Sequence, residues 1–132
     1  MDTEKILIVD DERDALRILE KELAARGYSI IAADNGNDAL NLAKSEHPDL
    51  IVLDIWMPDM DGSEVAARLK EDLTTKDIPI IFLTCLFQKR EEEEQGRVVA
   101  GKVLMAKPYS ISALSTRIRE ILTGTSHIQA KS

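Results

Sequence analysis

The sequence predicts an α/β fold, a doubly wound parallel sheet with helices on both faces, and three observations carry that expectation. Four apolar runs, Lys5 to Val9, Asp49 to Leu53, Ile78 to Leu83 and Lys102 to Ala106, are short, aliphatic or β-branched and free of polar alternation, as strands buried on both faces are. Segments with helical spacing of apolar residues lie between them. Each run leads into polar residues able to serve one site: Asp10 and Asp11, Asp54, Thr84, and Lys107. In an open parallel sheet the strand carboxyl ends form one edge and ligands bind in the crevice outside it, so these residues should converge there.

The elements follow in order. Leu16, Leu19, Leu23 and Ala24 place a first helix over residues 14–26, with Gly27 as its C-cap. Tyr28 to Ala33 reads as the second strand, and Asn35-Gly36-Asn37-Asp38 as turn chemistry leading into a second helix over about Ala39 to Lys44, stopped by His47-Pro48. The third strand ends at Asp54. A loop from Ile55 to Gly62 leads to Ser63, the expected N-cap of a third helix over Glu64 to Lys70. A polar connection, Asp72 to Asp77, reaches the fourth strand. Gln88 to Gln95 is heavily charged and reads as an exposed fourth helix, weakened by consecutive glutamates and Gly96, so that Arg90 to Val99 should be more mobile than the last helix. The fifth strand ends at Lys107-Pro108. Ser110 then caps a fifth helix with Ile111, Leu114, Ile118, Ile121 and Leu122 on one stripe, and Gly124 closes the fold.

Five strands alternating with helices in so short a chain select the flavodoxin-like strand order 2-1-3-4-5, with about five helices and a switch point between strands one and three, where Asp10, Asp11 and Asp54 should meet. One domain is expected over residues 4–123. Residues 124–132 read as a short polar tail with no linker leading elsewhere and no output domain, and no internal repeat is present.

Twenty-four acids against seventeen bases give a net charge of −7, which opposes nucleic-acid binding by this chain, a function that needs a basic footprint. No apolar run approaches the roughly 20 residues that span a bilayer, so no membrane association is expected. The N-terminal Met1 to Lys5 is acidic and polar, unlike a secretory signal, and the expectation is a cytoplasmic protein with Cys85 reduced.

Three carboxylates within about 5 Å repel by roughly 3 kcal/mol per pair at an effective dielectric near 20, and a cation should compensate. Oxygen-only ligands at an open crevice suit Mg²⁺ better than zinc, for which His or Cys ligands are missing. A carboxylate can attack a phosphoryl group directly and give an acyl phosphate, a transfer that needs in-line positioning and cancellation of charge on the equatorial oxygens. Asp54 holds the central place for that attack, with Thr84 and Lys107 as partners for those oxygens. Taken singly, each residue has a plainer explanation: Asp10 and Asp11 as helix caps, Asp54 as a turn residue, Thr84 as a β-former and Lys107 as a surface charge. Their joint placement argues against coincidence.

Over about residues 4–123 the chain resembles the response-regulator receiver family of two-component signalling, through Ile6 to Glu12, Asp54 to Gly62, Thr84-Cys85 and Lys107-Pro108. The resemblance implies that Asp54 is the phosphoacceptor, charged by a histidine kinase or phosphotransfer protein. It implies Mg²⁺ bound directly by Asp11, Asp54 and the Trp56 backbone carbonyl, with Asp10 assisting through water. It also implies that Thr84 and Lys107 sense the phosphoryl group, that a cis bond precedes Pro108, and that the face of the fourth helix, fifth strand and fifth helix changes its contacts with a downstream protein. Such a protein works as a signalling switch that catalyses its own phosphorylation and dephosphorylation, as a monomer or a phosphorylation-dependent dimer.

The chain departs from the family at Leu104, three residues before Lys107, where the family usually has an aromatic; leucine has neither a ring to rotate nor a hydroxyl to exchange hydrogen bonds, so the usual coupling of threonine movement to ring rotation is not expected in that form. Trp56, Cys85 and Leu86 are bulky and apolar, and crowding of the attacking water by them should lengthen the life of the phosphoryl group. Three rival readings stand beside the switch: a phosphate-independent binding module, given Leu104; a small Mg²⁺-dependent phosphohydrolase, for which Asp59 and Asp61 are the nearest further acids; and a flavin or nucleotide binder, which would want Gly, Ser or Thr where Asp10 and Asp11 stand. Two placements fit the sequence: a chain that works alone by binding a partner, and a piece of a larger regulator or hybrid kinase.

Overall fold

A computed structural model describes residues 3–55, 57, 60–84, 98–99, 102–106 and 110–124. Its strands are β1 (Lys5–Val9), β2 (Ser29–Ala33), β3 (Leu50–Asp54), β4 (Ile80–Thr84), β5 (Val98–Val99) and β6 (Lys102–Ala106). Its helices are α1 (Arg13–Ala25), α2 (Gly36–Glu46), α3 (Gly62–Glu71) and α4 (Ile111–Thr123). The fourth helix expected over Gln88 to Gln95 lies outside the described residues, so the C-terminal helix is α4.

The sheet runs β2-β1-β3-β4-β6-β5. Its first five members pair in parallel, in the order expected for the five predicted strands. The sixth was not expected. Val98 and Val99 pair antiparallel with Val103 and Lys102, where the charge pattern suggested a weak helix reaching Val99. Two adjacent β-branched residues favour extended backbone, and pairing covers the outer edge of β6.

Why the strands carry unbroken apolar runs is clear from the two cores. Ile6 and Ile8 of β1 pack with Leu16, Leu19 and Leu23 of α1 and Leu114 and Ile118 of α4, whereas Leu7 and Val9 face Ala39 and Ala43 of α2 and Val65, Ala66 and Leu69 of α3. β1, β3 and β4 each alternate between two buried layers, so polar alternation has no place in them. Among the described residues no helix is long and apolar enough to cross a membrane.

Caps moved where two candidates competed. α1 ends at Ala25 with Arg26 as its C-cap, one residue before the expected Gly27, which follows at φ +99°, a conformation that favours glycine. Asn35 caps α2, its side chain accepting from the Asp38 N–H at 2.8 Å, so α2 starts at Gly36 and not near Ala39. His47 closes α2 in the left-handed region at φ 49°, away from the right-handed α conformation that the following Pro48 disfavours. Asp61, not Ser63, caps α3: its carboxylate accepts from the Glu64 N–H at 3.0 Å. Ser110 caps α4 as expected, accepting from the Ala113 N–H at 2.9 Å, and Gly124 ends it at φ 75°.

Candidate metal centre

The carboxyl ends of the parallel strands deliver the acidic residues to one rim. β1 and β3 pair in register up to Val9 and Leu53, which sets Asp10 and Asp54 side by side at the next position. Asp10 is held by its backbone, whose N–H donates to the Ala33 carbonyl at 3.2 Å, and its Oδ1 accepts from the Glu12 N–H at 3.0 Å. One carboxylate oxygen from each of Asp10, Asp11 and Asp54 lies within 4.8 Å of the others. Asp10 and Asp54 are each 3% exposed and Asp11 is open to solvent. Two buried acids and one exposed acid form a site with a floor and an entrance.

This donor set suits a hard cation. It supplies only oxygens, and its open side leaves room for water and a further ligand, as magnesium sites require. Two ligands on opposite sides of one Mg²⁺ stand about 4.2 Å apart, so a spread of up to 4.8 Å accommodates two direct carboxylates and a third acting through water.

The loop after Asp54 is tied back to the sheet. Ile55 donates its N–H to the Leu83 carbonyl at 2.9 Å, and its own carbonyl accepts from the Gly62 N–H at 2.8 Å. Gly62 has no alternative, because a Cβ there would stand 2.5 Å from the Asp54 carbonyl oxygen and 2.8 Å from Ile55 Cα. Sequence reasoning treated Gly62 as part of a turn and overlooked this close backbone approach; a glycine directly before a helix was its only signal.

Beside the rim, Asp34 ties β2 to α1. The Asn35 amide donates to it at 2.8 Å and the Arg13 guanidinium at 2.9 Å, and these hydrogen bonds, with the Arg13 charge, hold the Asp34 carboxyl below the usual carboxylate range.

Of the other expected site residues, Thr84 is the last residue of β4 and pairs by backbone with Ala106, the last of β6, which puts both strand ends at the same edge as Asp54. Leu104 pairs by backbone with Phe82, a residue buried in the α2–α3 core layer. Trp56, Cys85, Leu86, Lys107 and Pro108 lie outside the described residues.

The model of the family described as response regulator receiver domain matches residues 6–119. The chain is 41% identical over 122 residues to the probable transcriptional regulator ycf27 of Porphyridium aerugineum, covering 92% of this chain and 49% of that protein. It is 37% identical over 129 residues to histidine kinase P4 of Formosa agariphila, covering 96% of this chain and 9% of that one. The fold is similar to that of the chemotaxis protein CheY4 of Vibrio cholerae, with a TM-score of 0.77 at 27% identity, over 90% of this chain and 98% of the other. The chain thus spans about half the length, or less, of the curated relatives it matches.

Proposed function

Because the chain belongs to the response regulator receiver domain family, we propose that it is a phosphoryl-accepting switch in which Asp54 takes a phosphoryl group from a histidine kinase or phosphotransfer protein. Receiver domains are signalling switches and not classical enzymes. The observation that carries the reading is the gathering of Asp10, Asp11 and Asp54 within 4.8 Å at the carboxyl edge of the sheet, the edge where β4 ends on Thr84.

In this reading an Asp54 carboxylate oxygen attacks phosphorus in line, an O–P bond forms, and the P–N bond to the donor imidazole breaks, the imidazole keeping the electron pair and taking up a proton. Asp11, Asp54 and the Trp56 carbonyl would hold Mg²⁺ directly and Asp10 would hold one of its waters; when bound, the ion neutralises charge on the phosphoryl oxygens. Thr84 and Lys107 are assigned to the remaining oxygens. The burial of Asp54 keeps bulk water from the acyl phosphate, and Trp56, Cys85 and Leu86 are proposed to restrict the hydrolytic water further. The downstream partner would read the face containing β6 and α4.

Leu104 favours a second reading, a binding module that has lost its dependence on phosphate, because leucine offers neither ring nor hydroxyl to report the state of Thr84. One experiment separates the two. Purified chain is treated with Mg²⁺ and a small phosphodonor and weighed intact. A gain of one phosphoryl mass, absent in Asp54→Ala, is expected; no gain in the unaltered chain would leave the binding module.

A further inference from the structure

We propose that Gly36 is a positioning residue for the metal-binding loop: it leaves the space in which Met60 rests, and so sets the loop that follows Asp54. The inference rests on the magnesium reading above. Gly36 opens α2 and is buried, yet its φ is not positive, so its backbone conformation does not call for glycine. Helix propensity alone would favour another residue, by up to about 1 kcal/mol in a helix interior. What calls for glycine is space. A Cβ on Gly36 would lie 2.9 Å from Met60 Cβ, 2.9 Å from Met60 Sδ and 3.0 Å from Val65 Cγ2. Rotating the thioether would relieve the sulfur contact but not the other two, because Met60 Cβ moves only with the backbone and Val65 is fully buried in the core between α2 and α3.

Met60 belongs to the loop between Asp54 and α3 and packs against that same core. The base of the loop is pinned, since Ile55 donates to Leu83 and accepts from Gly62. A side chain at position 36 therefore pushes on Met60, two residues before Gly62, and Gly62 lies directly against the Asp54 carbonyl and Ile55, so the push is passed to the residue that bears the proposed metal-binding carboxylate. Gly36 thus acts on the metal through Met60 without touching it. Outer partners hydrogen-bonded to metal ligands alter affinity by about 10- to 100-fold, and a steric contact one step further out is expected at the low end of that range.

Magnesium titration of the full chain tests this, followed through Trp56, its one tryptophan, and by calorimetry. Gly36→Ala should weaken Mg²⁺ binding by about 10-fold. Met60→Ala, which empties the space from the other side and decides the matter alone if Gly36→Ala does not fold, should weaken it several-fold. Gly27→Ala is the control: its φ of +99° makes a side chain strained although nothing lies within 4 Å, so it should lower the melting temperature and leave Mg²⁺ affinity unchanged. Wild-type affinity in the first two variants overturns the proposal, as does an equal loss in Gly27→Ala, which would mark a general effect of instability. An unaltered chain that shows no Mg²⁺ binding overturns the magnesium reading itself, and this inference with it.

Discussion

Replacing Asp54 with Asn should make the metal-free protein more stable and deprive it of its response to magnesium. The site holds three acids with oxygens within 4.8 Å, and at that distance two full charges repel by about 3.5 kcal/mol at an effective dielectric of about 20. Asp11 is exposed and its share is largely screened, which leaves the pair Asp10 and Asp54, each 3% exposed, as the main source. Both also have polar partners that offset part of the repulsion, so a net relief of about 1–2 kcal/mol is expected, or a rise of about 3–8 °C in the melting temperature. Magnesium should reverse the order. At 100 times its dissociation constant a ligand stabilises the folded state by about 2.7 kcal/mol, a gain open to the unaltered chain and lost with the Asp54 carboxylate. Thermal melts followed by circular dichroism, in EDTA and in saturating MgCl₂, read both effects. An Asp54→Asn chain that melts below the unaltered one in EDTA, or gains as much from magnesium, would refute the reasoning.

Other outcomes are open to direct measurement. The Tyr28 hydroxyl is buried without a hydrogen-bond partner among the described residues, while its ring centroid lies 5.9 Å from the Arg119 guanidinium carbon, so Tyr28→Phe keeps the ring contact and should raise stability by about 1 kcal/mol in urea unfolding; a clear loss would show that the hydroxyl is satisfied in solution. Asp34 has a folded-state pKa below its unfolded value, so its contribution is complete above the unfolded value and fades as pH falls through the lower folded one. Asp34→Asn should accordingly show a shallower loss of stability over that acid range, and an unchanged acid limb would count against the Arg13 and Asn35 contacts. Trp56→Asn should shorten the half-life of the phosphorylated chain in a decay assay; equal half-lives would remove the water-exclusion idea.

Much of the architecture was legible because burial on two faces leaves a composition signature. Leu50 to Leu53 carry no polar residue, and in the structure they alternate between the α1–α4 and α2–α3 layers, so the run could only be an interior strand. Ser110 was legible because it stands between Lys107-Pro108 and the apolar stripe that starts at Ile111, and Gly124 because it follows just past the end of that stripe. Where two capping residues competed, the linear pattern was ambiguous. Ser63 and Asp61 are both good N-caps, and the choice depends on which oxygen comes within hydrogen-bond reach of the Glu64 N–H. The hairpin of β5 on β6 escaped notice for a similar reason: two valines are too short a run to signal a strand until a partner edge is present.

The amino-acid order determined by itself that this chain builds a parallel sheet with acids at its strand ends, because side-chain type along a strand records which faces are buried and polar groups are tolerated only where the strand emerges. Only the tertiary structure decided that Asp10, Asp11 and Asp54 approach within 4.8 Å, and that Gly36 and Gly62 are required for space more than for turning. Those facts depend on distances between segments remote in sequence, and steric exclusion between such segments leaves no periodic mark on either one.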